Sequence, residues 1–424
     1  MTTKDVGVLT YGPIKACQIS GSTNLRPVLF LGYLPPVNTM RPIDTVLDQE
    51  LCFPAEMLYC PESHLAQLGY AVDPAVLFPP EYPYTSGSTR ILRDNFADLY
   101  REVHARLPLA PEDLVVDIGS NDGTLLSNFK NGGHRVLGIE PTMTGRLAEA
   151  RGIPTLTAFF DHETVDRILD EYGRPSIVTA TNVFAHIHNV HDVVDALERL
   201  VGDRGVFISE SHYLRDLVET LQYDTIYHEH LRYYSVHSLK FLLESHGFRL
   251  LHVRRIPTHG GSIRVYAGKN ASLEIDPSVE QLLAEERSAG LASEAWIGEF
   301  RRRVVRSKLE LYDLLATLAR DQSLIYGIGA PSRASTLINY AGLDDEIVRS
   351  VMEVKGSKKI GHYVPGTKIP VLEESALYQA QPPYVLLLSW HIADDLCRGL
   401  KQRGFRGDFI IPLPKPRIMR NRDV

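Results

Sequence analysis

Between residues 114 and 211 the chain alternates short apolar runs with amphipathic stretches. "LVVDIG" is followed by "TLLSNFKN", "RVLGIEP" by "GRLAEARG" and "SIVTATNV" by "HDVVDALERLV", and "GVFISES" closes the series. The runs are too short for helices and rich in Val and Ile, whereas the stretches between them repeat apolar residues at helical spacing. Strands alternating with helices predict a parallel, doubly wound sheet and exclude a sandwich or a bundle here. The pattern restarts at 324 with "LIYGIGAPSRASTLINYAG", followed by the strand-like "IVRSVMEV", "YVLLLSW" and "DFIIPLP". The expected fold class is therefore α/β, with two Rossmann-like units in one chain.

The rest of the chain divides around these units. Residues 1–80 are rich in Pro and Gly and predict a small module of short strands and loops. A helix from about 85, with Ile91, Leu92, Phe96, Leu99 and Tyr100 as its apolar stripe, opens a domain over 81–275. Residues 276–320 read as a helical connector and 321–424 as the second α/β domain. The net charge of −7 gives no broad basic surface, so neither nucleic acid nor an anionic membrane is an expected partner. The first residues lack an apolar signal core, no run approaches bilayer length, and four cysteines are too few for a disulfide scaffold. A cytoplasmic protein with reduced thiols is expected, as a monomer or small homo-oligomer.

"VVDIGSNDGTLL" places a strand before Gly119, a small polar turn through Ser120 and Asn121, and then Gly123 and a helix. Gly119 lets a ligand approach the backbone, and the helix start offers free N–H groups. Asp117 can accept hydrogen bonds or pair with a cationic ligand group. The next strand ends in Glu140, spaced to take the hydroxyls of a ribose. The turn lacks the G-x-G-x-x-G that pyrophosphate approach requires. The expected cofactor is S-adenosylmethionine rather than a dinucleotide, with Asn182 of "TATNVF" added to its site.

"VVDIGSNDGTLL", "TATNVFAHIHN", "YHEHLRYYS", "PTHGGSIRV" and "YGIGAPSRAST" occur in this order. Together they resemble the sugar C-methyltransferases of deoxysugar and antibiotic biosynthesis, which act at C-3 of dTDP-linked 4-keto-6-deoxysugars. The resemblance runs from about Cys17 past Pro414. It implies an N-terminal zinc module, a central methyltransferase domain and a C-terminal domain that helps hold a nucleotide-linked ketosugar. Methylating a carbon beside a ketone needs a base for the C–H proton and donors for the enolate oxygen. The resemblance implies Tyr227, Glu229, His230, His186 and Tyr84 as the catalytic group. His230 or Tyr227 is the base, with Glu229 orienting the histidine; the sequence does not rank the two, and His228 receives no role. Further along, His259, Gly260, Gly261 and Arg264 are expected at the substrate, with Arg264 reaching a phosphate. Gly329 and Arg333 are expected to face the nucleotide.

The module departs from the family pattern of two C-x2-C pairs: Ser20 and Ser63 stand at the second cysteine positions, and serine is a poor zinc ligand. Two readings stay open. One is a reduced zinc site of Cys17, Cys60 and His64, with Cys52 as a remote fourth ligand. In the other, packing replaces the metal. For the whole chain, the readings weighed against ketosugar C-methylation are a methyltransferase with a different keto or hydroxyl acceptor, a nicotinamide-dependent oxidoreductase, and a catalytically silent binding protein.

Overall fold

The computed structural model describes residues 11–46, 49–78, 87 and 89–424. Its central sheet has seven strands, in the spatial order Arg249–Ile256, Ser262–Gly268, Val206–His212, Ile177–Thr181, Leu114–Ile118, Arg135–Ile139 and Thr155–Leu156. The five from Val206–His212 onward run parallel, as the strand–helix alternation demands. The other two follow directly on each other and pair antiparallel. Buried Val116, Leu137 and Phe207 face one side of the sheet and Val115, Val136 and Ile208 the other. Both faces are covered, which is why these strands are apolar throughout rather than alternating.

The helix Arg90–Arg106 covers one face through Leu92, Phe96, Leu99 and Val103. Ile91 does not join this stripe. It is 37% exposed, because one residue along a helix is a turn of about 100°. Val103 completes the stripe instead.

The C-terminal sheet has six strands, ordered Val371–Glu373, Ser350–Glu353, Ile325–Ile328, Tyr384–Leu387, Asp408–Ile411 and Arg417–Met419, with only the last antiparallel. The restarted pattern is thus a second doubly wound sheet.

Two features tie the parts together. The N-terminal strands Arg26–Leu34, Phe53–Cys60 and Leu65–Leu68 form a sheet whose fourth strand, Arg232–Tyr233, comes from the central domain. The long helix Ala295–Arg320 is also more than a connector. Trp296, Phe300, Val304, Leu311 and Leu315 lie on its buried face. They share one apolar core with Val28, Met57 and Tyr59 of the N-terminal sheet and Ile325 and Leu386 of the C-terminal one. Each such side chain contributes about 1.5–3 kcal/mol by leaving water. No helix among the described residues is long and apolar enough to cross a membrane.

Candidate active site

Gly119 lies at the carboxyl end of the first parallel strand with φ +68°, and a Cβ there would stand 2.5 Å from Val183. Only glycine fits both conditions. The turn is stitched to the neighbouring strand by the Gly119 and Ser120 N–H groups, both donating to the Ile139 carbonyl. Glu140, just beyond that strand, accepts from the Asn121 N–H at 3.0 Å and from the Thr142 N–H at 2.9 Å. Its carboxylate therefore sits at the mouth of the turn. Ser120 Oγ and Asn182 Oδ1 are buried there without a hydrogen-bond partner in the protein. Two orphaned polar atoms beside a Gly turn and an acidic strand end fit a ligand bearing amino, carboxyl and ribose groups.

Asp117 does not take the place expected for it. It is closed to solvent and accepts from Thr179 Oγ1 at 2.6 Å, across paired strands. Burial pushes its carboxyl up to about 7, with the charges of Glu140 and Glu210 adding to the rise. Its carboxyl is committed to Thr179 within the sheet.

Beyond the carboxyl ends of the adjacent strands, histidine rings converge. His230 lies 4.9 Å from His186 and 4.8 Å from His212 between ring centroids, and His212 lies 5.4 Å from His259. Tyr227 stacks on His230 at 4.2 Å. The structure thus brings together four of the sequence-predicted residues, His186, Tyr227, His230 and His259. It adds His212, which the motifs missed. Its position at the carboxyl end of a parallel strand, where ligands bind in such sheets, was the available signal. Tyr84 lies outside the described residues.

His230 Nδ1 is 2.9 Å from the Thr225 carbonyl and His186 Nδ1 is 2.6 Å from the Glu229 carbonyl. A carbonyl only accepts, so each Nδ1 carries the proton, and each neutral ring keeps its lone pair on Nε2. Burial holds His230 well below the ordinary histidine range, and His186 is pushed down to about 4 by the same cause. Burial raises the Tyr227 phenol well above its ordinary value, and the Glu229 charge adds to this.

Glu229 does not orient His230, because the Thr225 carbonyl occupies the ring nitrogen that a carboxylate would take. The Glu229 carboxylate instead accepts from Asn38 Nδ2 at 2.7 Å, and the same amide reaches Ser332 Oγ at 3.1 Å. Asn38 lies in the loop after the strand Arg26–Leu34, so the N-terminal module, the "YHEH" segment and the C-terminal domain meet at the Asn38 amide. His228 turns the other way, toward the Pro54 carbonyl and the Phe53 ring.

Four of the expected substrate residues need correction. Arg264 is fully buried and ion-paired to Glu210 at 2.7 Å and Asp98 at 3.0 Å, with Glu102 also in contact. Three carboxylates saturate it, and it cannot reach a phosphate. A Cβ on Gly261 would stand 2.1 Å from the Asp216 carboxyl, so that glycine answers protein packing rather than ligand approach. Gly260 likewise lies against Gln222, which donates to its carbonyl. Arg333 is held by Asp224 at 2.7 and 2.8 Å and lies over the Trp390 ring. It touches the His259 carbonyl at 3.4 Å and faces the histidine cluster rather than a free anion site.

The C-terminal sheet repeats the logic of the first turn. Gly329 follows its first strand with φ +79°. Glu353, at the end of its second strand, accepts the Ala330 N–H at 2.8 Å. This is the position Glu140 holds in the central sheet. Sequence reading missed Glu353 because "MEV" carries no fingerprint on its own.

In the N-terminal module Cys17 and Cys60 come together with the two serines. Cys17 Sγ is 3.1 Å from Ser63 Oγ, and Ser20 Oγ is 3.5 Å from Cys60 Sγ. Burial pushes the Cys17 thiol up, while a hydrogen bond from Cys17 pulls Cys60 down. His64 faces away, toward the Tyr59 hydroxyl at 3.0 Å and the His237 ring. Cys52 is exposed elsewhere. Among the described residues no three His, Cys, Asp or Glu side chains could hold a metal ion together. Two thiols and two hydroxyls do not fit structural zinc.

Three family profiles match in chain order: a "Putative zinc binding domain" over 17–78, a "Methyltransferase domain" over 91–253 and a "C-methyltransferase C-terminal domain" over 257–414. The C-methyltransferase NovU of Streptomyces niveus is 33% identical over 410 residues, 96% of this chain and 97% of that one. The chain belongs to this C-methyltransferase family. It is an enzyme, an S-adenosylmethionine-dependent C-methyltransferase. Solved structures with local similarity include the magnesium protoporphyrin IX methyltransferase of Synechocystis with bound SAM. That structure is 16% identical, with a TM-score of 0.32, over 41% of this chain and 78% of that one. The PH0226 protein of Pyrococcus horikoshii is 14% identical, with a TM-score of 0.35, over 46% of this chain and 96% of that one.

Proposed function

We propose that the enzyme methylates C-3, the carbon beside the ketone, of a nucleotide-linked 4-keto-6-deoxysugar, with His230 as the base. The observation that carries this reading is the hydrogen bond from His230 Nδ1 to the Thr225 carbonyl at 2.9 Å. It leaves Nε2 as an acceptor at the carboxyl ends of the parallel strands. His230 is preferred to Tyr227 because the buried phenol holds its proton well above its ordinary range. A neutral phenol donates and is a poor base, so Tyr227 holds a substrate oxygen.

S-adenosylmethionine, when bound, supplies an electrophilic methyl group. Gly119, Ser120, Asn121, Gly123, Glu140 and Asn182 are the residues that would hold it. Glu140 takes ribose hydroxyls and Asn182 Oδ1 takes an amino donor. The C-terminal domain takes the nucleotide of the sugar, at the Gly329 turn and Glu353. Both sheets therefore present a carboxylate at the same topological point. His186 offers a second Nε2 acceptor for a ring hydroxyl, and the buried cluster excludes water from the carbon that loses its proton.

The test is mass spectrometry of incubations with S-adenosylmethionine and a panel of dTDP-linked 4-keto-6-deoxysugars, with the added methyl located by NMR. Methyl gain at C-3 is the expected result. Gain on oxygen, or no gain with any ketosugar, overturns the reading.

A further inference from the structure

His212 ends the strand Val206–His212. The last register pair with the neighbouring strand Ile177–Thr181 is Glu210 with Thr181, so His212 projects two residues past that strand, over the same end as Asn182 and His186. On its other side it pairs with Ser262, which places it beside the His259 loop. Its ring stands between His230 and His259, at 4.8 and 5.4 Å. It is half-buried.

His212 differs from its neighbours in one respect. His186 and His230 each commit Nδ1 to a backbone carbonyl. Among the described residues, no hydrogen bond holds either nitrogen of His212. Burial acts on it first, and the groups beside it are His230, His259, Arg333 and His186, none of them anionic. Such surroundings disfavour an imidazolium and favour an anion placed against the ring.

We infer that His212 is a catalytic residue of this enzyme, the N–H donor that holds the ketone oxygen while negative charge develops on it. The inference rests on the ketosugar reading. In the step it serves, the C–H proton of the carbon beside the ketone passes to His230 Nε2. The C–H electron pair becomes the new carbon–carbon double bond, and the carbonyl π pair moves onto oxygen, where the His212 N–H receives it. A neutral imidazole suits this task. It donates without delivering its proton outright, and it is already in place when charge appears.

The experiment compares side chains that can donate with side chains that cannot. His212→Phe keeps the ring and removes both nitrogens, while His212→Asn and His212→Gln place an amide N–H near Nδ1 and Nε2 respectively. Exchange of the C-3 hydrogen of a dTDP-linked 4-keto-6-deoxysugar is followed by mass spectrometry in deuterated water without methyl donor, and methyl transfer is followed with it. His212→Phe should lose about 10²–10³-fold in both, as removal of one oxyanion donor does. At least one amide variant should recover tenfold or more of that loss. The same amides at 230, which donate but cannot act as a base, should recover nothing. S-adenosylmethionine affinity by calorimetry should be unchanged in every variant. Should His212→Phe prove insoluble, His212→Ala serves the same comparison. Near wild-type exchange in His212→Phe overturns the inference, as do amide variants no better than it. Wild-type enzyme that neither exchanges nor methylates any ketosugar overturns the ketosugar reading instead.

Discussion

Asp224 and Arg333 close on each other across the boundary between the "YHEH" segment and the C-terminal domain, at 2.7 and 2.8 Å. Trp390 Nε1 donates to the same carboxylate at 2.7 Å. Asp224 is fully buried and lies three residues before Tyr227, so the C-terminal domain sets the position of the "YHEH" segment through one carboxylate. Removing one partner leaves the other charge buried and unpaired, which costs about 3–5 kcal/mol. Asp224→Asn and Arg333→Met should each lower thermal stability. In protein that remains folded they should reduce kcat more than S-adenosylmethionine affinity. Calorimetry and initial rates on the same samples check this. An unchanged kcat with normal stability would detach the pair from the active segment.

The buried His230 ring predicts an acid limb displaced from the usual histidine range. A base works unprotonated, and burial lowers its basicity here. Activity that depends on His230 should therefore stay flat as pH falls through about 6.5 and decline only in more acidic solution. His230→Asn should cost about 10²–10⁴ in kcat, the usual range for a positioned general base. Tyr227→Phe should cost less, since the role proposed for the phenol is that of a donor. A profile that breaks near 6.5 in the wild type would remove His230 from the base role.

The parts of this design legible in the sequence are the ones set by local pattern. Short Val- and Ile-rich runs before Gly119 and Gly329 announce strands and turns, because strand length and glycine conformation are decided within a few residues. Arg264 shows the opposite case. Its partners Asp98 and Glu102 sit one turn apart on a helix more than 150 residues away, and Glu210 sits on the next strand. Nothing adjacent to "GGSIRV" signals them. Glu229 was misread for a similar reason, because its partner Asn38 is on a loop 191 residues distant. The strand Arg232–Tyr233 is too short to read as one, and only its pairing with Ala66 and Gln67 makes it a strand.

The Cys17, Ser20, Cys60 and Ser63 set predicts a module that stays folded without metal. Metal analysis of purified protein should give less than one zinc per chain, and a chelator should leave the melting temperature unchanged. Ser20→Cys with Ser63→Cys restores four thiols at the same backbone positions and should bind one zinc. Full zinc in the wild type that survives a weak chelator would contradict the hydrogen-bonded arrangement.

Glu140 offers a direct test of the methyl-donor site. Its carboxylate takes the Asn121 and Thr142 N–H groups while lying at the mouth of the turn. Glu140→Gln keeps the shape and removes the charge. A charge-assisted hydrogen bond is worth about 1.5–3 kcal/mol, so affinity for S-adenosylmethionine should fall roughly ten- to hundredfold by calorimetry. Wild-type affinity would move the ribose contact elsewhere.

Asp117 makes the last prediction, one of stability rather than rate. Its carboxyl is raised in the folded protein from 3.8 to about 7, chiefly by burial. An acid with a raised folded pKa binds its proton more tightly folded than unfolded. Between those two values the unfolded state has already released the proton, so stability falls as pH rises and levels off above about 7. Carried through the linkage, the group costs up to about 4 kcal/mol at pH 8 relative to pH 4. Asp117→Asn resembles the protonated carboxyl in shape and keeps an oxygen for Thr179 Oγ1, and it has no charge to bury. Denaturant melts should show the variant gaining on the wild type steadily from pH 4 to pH 8. Parallel curves across that range would mean that Asp117 is ionised throughout and that a cation within the fold, rather than burial, governs it.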